Sequence, residues 1–108
     1  IKDGEAEIRD AGHLWGQNTK ETEEMIQKEL EDKRVRMALI GPGGENKVLF
    51  SCVMQGAKDA AGRGGMGAVM GSKNLKAVAV RGTLKPKIVD HVGVKELRQW
   101  MLDNMDKV

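Results

Sequence analysis

Between Ala60 and Asn74 the chain carries five glycines within ten residues, from Gly62 to Gly71, enclosed by Arg63 near the start and Lys73 near the end. A backbone this bare loses more conformational freedom on folding than any other, so it needs a structural or ligand-binding reason to be there. Unobstructed N–H groups between two cationic side chains suit a phosphate, and the first expectation is an anion-binding turn that leads into a helix. Met66, Val69 and Met70 recur at helical spacing, which places that helix in the second half of the stretch. Gly67 and Gly71, four apart, fall on one of its sides and permit close approach of another backbone.

The rest of the chain is read around this stretch. With 108 residues it forms one domain with a modest core. Asp3-Gly4 is a tight-turn pair, and Ala6 and Ile8 alternate with charged residues, so Ile1 to Asp10 reads as a hairpin. Asn18 with Glu21 three positions on is a capping box, opening a helix that buries Thr22, Met25, Ile26 and Leu30 and pairs Glu24 with Lys28. Val35 to Ile40 reads as a strand, Gly41-Pro42-Gly43-Gly44 as a turn, and Val48 to Met54 as a strand buried on both faces. Gln55 to Asp59 is then a connector, and Leu75 to Val80 a last, buried strand. Asp90 caps a final helix from about residue 91, with an apolar stripe of Val94, Leu97, Met101, Met105 and Val108. Hairpins mixed with a crossover give an α+β fold, a mixed or antiparallel sheet with two to three helices.

Several function classes are set aside. The net charge is +2 with both signs dispersed and no basic stripe carrying aromatic residues, so no nucleic-acid surface is expected. No apolar run reaches the length of a membrane span. One cysteine, Cys52, builds neither a disulfide framework nor a cysteine metal site, and it indicates a reducing, intracellular setting. His13 has no second ligand at metal spacing. No nucleophile, base and orienter can be assembled, so no catalytic residue and no metal ligand is assigned.

Gly62-Arg63-Gly64-Gly65-Met66-Gly67 also matches the dinucleotide pattern G-x-G-x-x-G. The true motif sits directly between strand and helix, with an acid about 20 residues on. Here about seven residues, Gln55 to Ala61, precede the glycines, and the next strand ends in Arg81. An anion-binding module for an NADP-like nucleotide, using Gly62 to Gly67, stands as the alternative function. A helix-packing role for the glycines alone competes with both.

The stretch from Ala60 to Val80 resembles a signature of the tungsten-containing aldehyde ferredoxin oxidoreductase family. Ile1-Lys2-Asp3, Glu7 to Ala11, His13-Leu14-Trp15-Gly16, Glu21-Thr22-Glu23 and Ile40 to Asn46 are similar to that family in the same order. The resemblance implies a fragment of an enzyme that oxidises aldehydes to carboxylic acids at tungsten, or molybdenum, held by two pterins, with electrons passing through a 4Fe-4S cluster to ferredoxin. It implies that residues 1–108 are the second half of a duplicated α+β N-terminal domain, inactive alone, with the cluster's cysteines elsewhere in the polypeptide. Its partners would be the remainder of that polypeptide and ferredoxin, with the full-length enzyme a cytoplasmic homodimer. By the family pattern Ala60, Gly62 and Arg63 contact the pterin and its phosphates. Where many members carry Arg before the paired alanines this chain has Asp59, with Lys58 beside it. Either Lys58 substitutes or one pterin phosphate is held less tightly, and Asp59 is expected to point away from the phosphate or to engage a cation bridging the phosphates.

Overall fold

The computed structural model describes residues 1–56 and 59–107. Its elements in chain order are α1 (Thr19–Glu29), β1 (Arg36–Leu39), α2 (Pro42–Glu45), β2 (Val53–Gln55), β3 (Asp59–Ala61), α3 (Met66–Ser72), β4 (Ala77–Val80) and α4 (His91–Asp103), with short 3-10 turns at Gly12–Leu14 and Met105–Lys107. The strands form one antiparallel sheet in the order β3-β2-β1-β4. The fold is α+β, as the sequence predicts.

α1 starts where the capping box places it. The Asn18 side chain accepts from the Glu21 N–H at 3.0 Å, and the Glu21 carboxylate accepts from the Asn18 N–H at 3.2 Å. Its inner face buries Thr22 and Ile26, while on its outer face Lys20, rather than Lys28, reaches Glu24, at 4.0 Å. Period-two alternation puts Val35, Met37 and Leu39 of the β1 region on the core side, where they meet Ile26 and Leu14. Ala77 and Ala79 of β4 complete that layer.

Several expectations are corrected. The Asp3-Gly4 turn forms, but it closes only a single bridge between Lys2 and Glu5, and the chain from Ala6 to Asp10 runs exposed without a strand partner. Gly41 to Gly44 is not a simple turn: Pro42 stands at the first helical position, where its fixed φ starts the short α2. Val48 to Met54 becomes a strand only at Val53. Lys47 turns the chain with φ +58, Ser51 N–H returns to the Val48 carbonyl, and Leu49 and Phe50 emerge 87% and 86% exposed. Gln55 and Asp59, read as connector, are the facing residues that open the β2–β3 hairpin. Leu75 is exposed and Ala77 to Ala79 are half-buried, so β4 is less enclosed than its composition suggests. α4 is capped by Asp90, whose carboxylate accepts from Gly93 N–H at 2.8 Å, yet none of its residues is buried and the stripe of Val94, Leu97, Met101 and Met105 is exposed.

α3 lies against α2 with almost no side chain between them. A Cβ at Gly71 would fall 1.9 Å from the Gly44 carbonyl oxygen, and one at Gly67 would fall 2.6 Å from the Cys52 carbonyl oxygen. These two glycines serve packing. Gly62, by contrast, has open space around it. We therefore expect Gly71→Ala to lower the unfolding free energy by about 1–3 kcal/mol through forced separation of the helices. Gly62→Ala should stay within about 0.5 kcal/mol. Urea unfolding of both variants checks this; equal stabilities would contradict it.

Candidate functional site

The β2–β3 hairpin carries the chain to the sheet edge, and residues 62–65 then bend from Ala61 into α3. The bend uses two left-handed residues, Gly64 at φ +86 and Gly65 at φ +66. Gly65 cannot be replaced without collision, because a Cβ there would fall 2.0 Å from the Leu49 carbonyl oxygen. The loop is thus pinned from beneath by the 48–51 turn. Its outer side is open: nothing lies within 4 Å of a Cβ at Gly62 or Gly64.

The three residues singled out from the sequence fall together here. Ala60, paired with Met54 in β3, is exposed, as are Gly62 and Arg63. Among the described residues, the backbone N–H groups of Gly62, Arg63 and Gly64 donate no hydrogen bond, and the Arg63 guanidinium makes no ion pair. Gly65 and Met66 N–H likewise find no partner among the described residues, whereas Gly67 N–H donates to the Ser51 carbonyl at 3.0 Å and Ala68 N–H to the Gly65 carbonyl at 3.0 Å. The unbonded backbone donors of this stretch therefore lie in the loop and at the first residue of α3. Lys73 does not join it, because it caps the opposite end of α3. Asp59 begins β3 with its side chain exposed, while Lys58 lies outside the described residues. Leu49 and Phe50, exposed beside Gly65, give the loop an apolar flank that sequence reading had assigned to a buried strand.

A second feature escaped the sequence reading. Lys76, just before β4, is 1% exposed, and its ammonium donates to the Glu45 carboxylate and, at 2.9 Å, to the Gln17 carbonyl. The other Glu45 oxygen accepts from Gly16 N–H at 2.9 Å, and the Lys76 carbonyl accepts from Ile40 N–H at 3.0 Å. This ion pair ties the turn before α1, helix α2 and strand β4 at one point, and α3 with its loop rests on α2. The only sequence signal was a lysine set into the run Leu75 to Val80.

Other titratable groups stand apart. His13 Nε2 lies 3.2 Å from Glu29 on the surface. Backbone and side-chain N–H groups of Arg34, then the Arg81 guanidinium at 2.8 Å, hold the Asp32 carboxyl well below the usual carboxylate range. Arg81, where a dinucleotide site needs an acid, is thus engaged in closing the fold. Among the described residues no group of three His, Cys, Asp or Glu converges to hold a metal ion, and no helix is long and apolar enough to cross a membrane.

The model of the aldehyde ferredoxin oxidoreductase N-terminal domain matches residues 1–82. The chain belongs to the aldehyde ferredoxin oxidoreductase family. It is 49% identical over 107 residues to a tungsten-containing aldehyde ferredoxin oxidoreductase of Pyrococcus horikoshii, covering 99% of this chain and 18% of that protein. It is 56% identical over 90 residues to the enzyme of the same name from Pyrococcus furiosus, covering 83% and 15%. An aliphatic sulfonate oxidoreductase, WOR-like subunit, of Pyrococcus furiosus is 44% identical over 110 residues, covering 90% and 18%. Among solved structures, a chain of the active site complex BamBC of benzoyl coenzyme A reductase superposes with TM-score 0.91 at 44% identity, covering 99% of this chain and 16% of that one. The chain therefore spans less than a fifth of the length of the relatives it matches.

These comparisons do not favour the NADP-like alternative, although one argument against it needs correction. β3 does run directly into the glycines, so the separation inferred from sequence is absent. What distinguishes the site from a dinucleotide fold is orientation: β3 and β4, joined through α3, lie antiparallel at opposite edges of the sheet, not as a parallel βαβ unit.

Removing the Lys76 charge while leaving Glu45 buried should cost about 3–5 kcal/mol. Lys76→Met tests this by chemical denaturation, and Lys76→Met combined with Glu45→Leu should recover part of the loss. A single variant within about 1 kcal/mol of the parent would show that the pair does not organise the fold.

Proposed function

We propose that the chain is the pterin-cradling piece of a tungsten, or molybdenum, oxidoreductase that converts aldehydes to carboxylic acids and passes electrons through a 4Fe-4S cluster to ferredoxin. The observation that supports this most is the open loop at 62–64, where among the described residues three adjacent N–H groups and the Arg63 guanidinium have no partner, on a bend pinned from below. Such a set fits a phosphate: a cationic side chain beside unspent backbone N–H groups offers charge-assisted donors to an anion. The pterins would supply the sulfur ligands and redox chemistry of the metal. The residues of this chain would hold a phosphate on Arg63 and the Gly62–Gly64 amides, with Ala60 giving the cofactor a side chain too small to obstruct it.

In this reading the chain is the second half of a duplicated N-terminal domain and takes no part in catalysis by itself. Its partners are the rest of its own polypeptide and ferredoxin, in a homodimeric, cytoplasmic enzyme. Relatives named for aldehydes, an aliphatic sulfonate and benzoyl coenzyme A share this piece. Substrate choice therefore belongs to other parts of the polypeptide. Asp59, at the entrance to the loop, turns from the phosphate or meets it through a bridging cation.

Arg63→Ala in the full-length enzyme should weaken pterin retention by about 1.5–3 kcal/mol, a tenfold or larger loss, as expected for one hydrogen bond to a charged group. Lys73→Ala should leave it unchanged. Pterin released per polypeptide after purification and dilution reads both. Unaltered retention in the Arg63 variant would remove the loop from the cofactor site.

A further inference from the structure

The outer edge of β4 is half occupied. Ile1 nitrogen donates to the Ala79 carbonyl at 2.8 Å, Arg81 N–H donates to the Ile1 carbonyl at 2.9 Å, and Asp3 N–H to the Arg81 carbonyl at 3.3 Å. That sequence of bonds is a parallel ladder, and Lys2 and Arg81 are its facing residues. It stops at Ile1. Alternation along β4 turns the N–H and C=O of Ala77 towards the same outer side as those of Ala79. Among the described residues the N–H groups of both and the Ala77 carbonyl find no partner there.

The same three residues begin a second ladder. Lys2 and Glu5 exchange both backbone bonds, at 2.8 and 2.9 Å, around the Asp3-Gly4 turn, whose φ values are +46 and +96. Two left-handed residues in a two-residue loop are the turn of a twisted antiparallel hairpin. Continued, the hairpin would engage Glu7 and Arg9, but the backbone from Ala6 to Asp10 is exposed and unpaired. Between this segment and the β4 edge lies a cavity of about 690 Å3, lined by Ala6, Ile8, Leu14, Ile26, Leu75 and Ala77 among others.

We propose that an extended strand fills this cavity, parallel to β4 on one side and antiparallel to residues 5–10 on the other, and that it is the segment of the full-length polypeptide immediately preceding Ile1. This rests on the proposed reading of the chain as the second half of the N-terminal domain of a longer polypeptide. The two ladders require one register. Ile1 and Asp3 bond to β4 while Lys2 bonds to Glu5, so alternate residues of the strand serve opposite neighbours. The second residue before Ile1 then donates to the Ala77 carbonyl and accepts from Ala79 N–H, and the first bonds Glu7. The first and third residues before Ile1 lie on the side of Ala79 and Ala77, facing Leu14 and Ile26, and are apolar. A second copy of the chain would have to find this register by diffusion. The preceding segment is delivered into it by the bonds Ile1 already makes, and in the longer chain Ile1 nitrogen is a peptide N–H that keeps its bond to Ala79. The sheet gains two strands, and its β4 edge is closed against association.

Hydrogen exchange of the full-length enzyme, read by mass spectrometry over residues 5–10 and 76–81, tests the proposal. Residues 5–10 should exchange at least about tenfold more slowly than an unstructured reference, and the Ala77 and Ala79 amides, which β1 leaves unbonded, should be protected together with them, because one inserted strand covers both. Exchange of residues 5–10 at the unstructured rate would overturn it. So would protection that vanishes on dilution, which would assign the edge to a second copy. Pterin content of the same sample separates the two readings: full cofactor with free exchange would reject the strand and leave the cradle standing.

Discussion

The buried Lys76–Glu45 pair is the point on which the described fold turns. Desolvating two charges is expensive, and it is tolerable only when they pair closely and further hydrogen bonds support the pair. Here the ammonium has the Glu45 carboxylate and the Gln17 carbonyl, while the carboxylate also accepts from Gly16 N–H. These partners come from three distant parts of the chain, so the pair specifies their mutual position more sharply than apolar contact would. α2 is only four residues long and could not hold itself in place; Glu45, its last residue, is its anchor. With α2 fixed, α3 settles against it through Gly44 and Gly71, and the loop at 62–65 inherits its position.

That arrangement divides the glycine-rich stretch into two kinds of glycine. Gly67 and Gly71 stand where a methyl group would strike a backbone oxygen, and Gly65 combines such a collision with a left-handed backbone. Gly62 and Gly64 face open space, and among the described residues their N–H groups and that of Arg63 have no partner. On the proposed reading, a loop held firmly on its inner side and unspent on its outer side would need little further ordering to take a phosphate. The short α3 adds no free donors at Gly67 and Ala68, which are used within the protein.

Local chemistry was legible in the sequence where one residue type decides the outcome. The Asn18–Glu21 box, the Asp90 cap, the Asp3-Gly4 turn and the alternation of Val35, Met37 and Leu39 all appear in the structure as read. Ala60, Gly62 and Arg63 lie on one exposed stretch. Failure came where tertiary context overrides composition. Leu49 and Phe50 look like buried strand residues but sit on a turn set by Lys47, and Asp59 to Ala61 carry no β-branched signal yet pair with β2 because the hairpin brings them there. Ala6 to Asp10 alternate like a strand and lack only a partner. Lys76 was invisible because a buried lysine is recognised by its partner, and Glu45 lies 31 positions away.

The central claim is that the 62–64 backbone and Arg63 receive a phosphate of the cofactor. A crystal structure of the full-length holoenzyme measures it directly. The account predicts a pterin phosphate oxygen within about 2.7–3.1 Å of at least two of the Gly62, Arg63 and Gly64 nitrogens, with the Arg63 guanidinium on the same phosphate. A phosphate bound wholly by other domains, with these amides facing solvent, would contradict it.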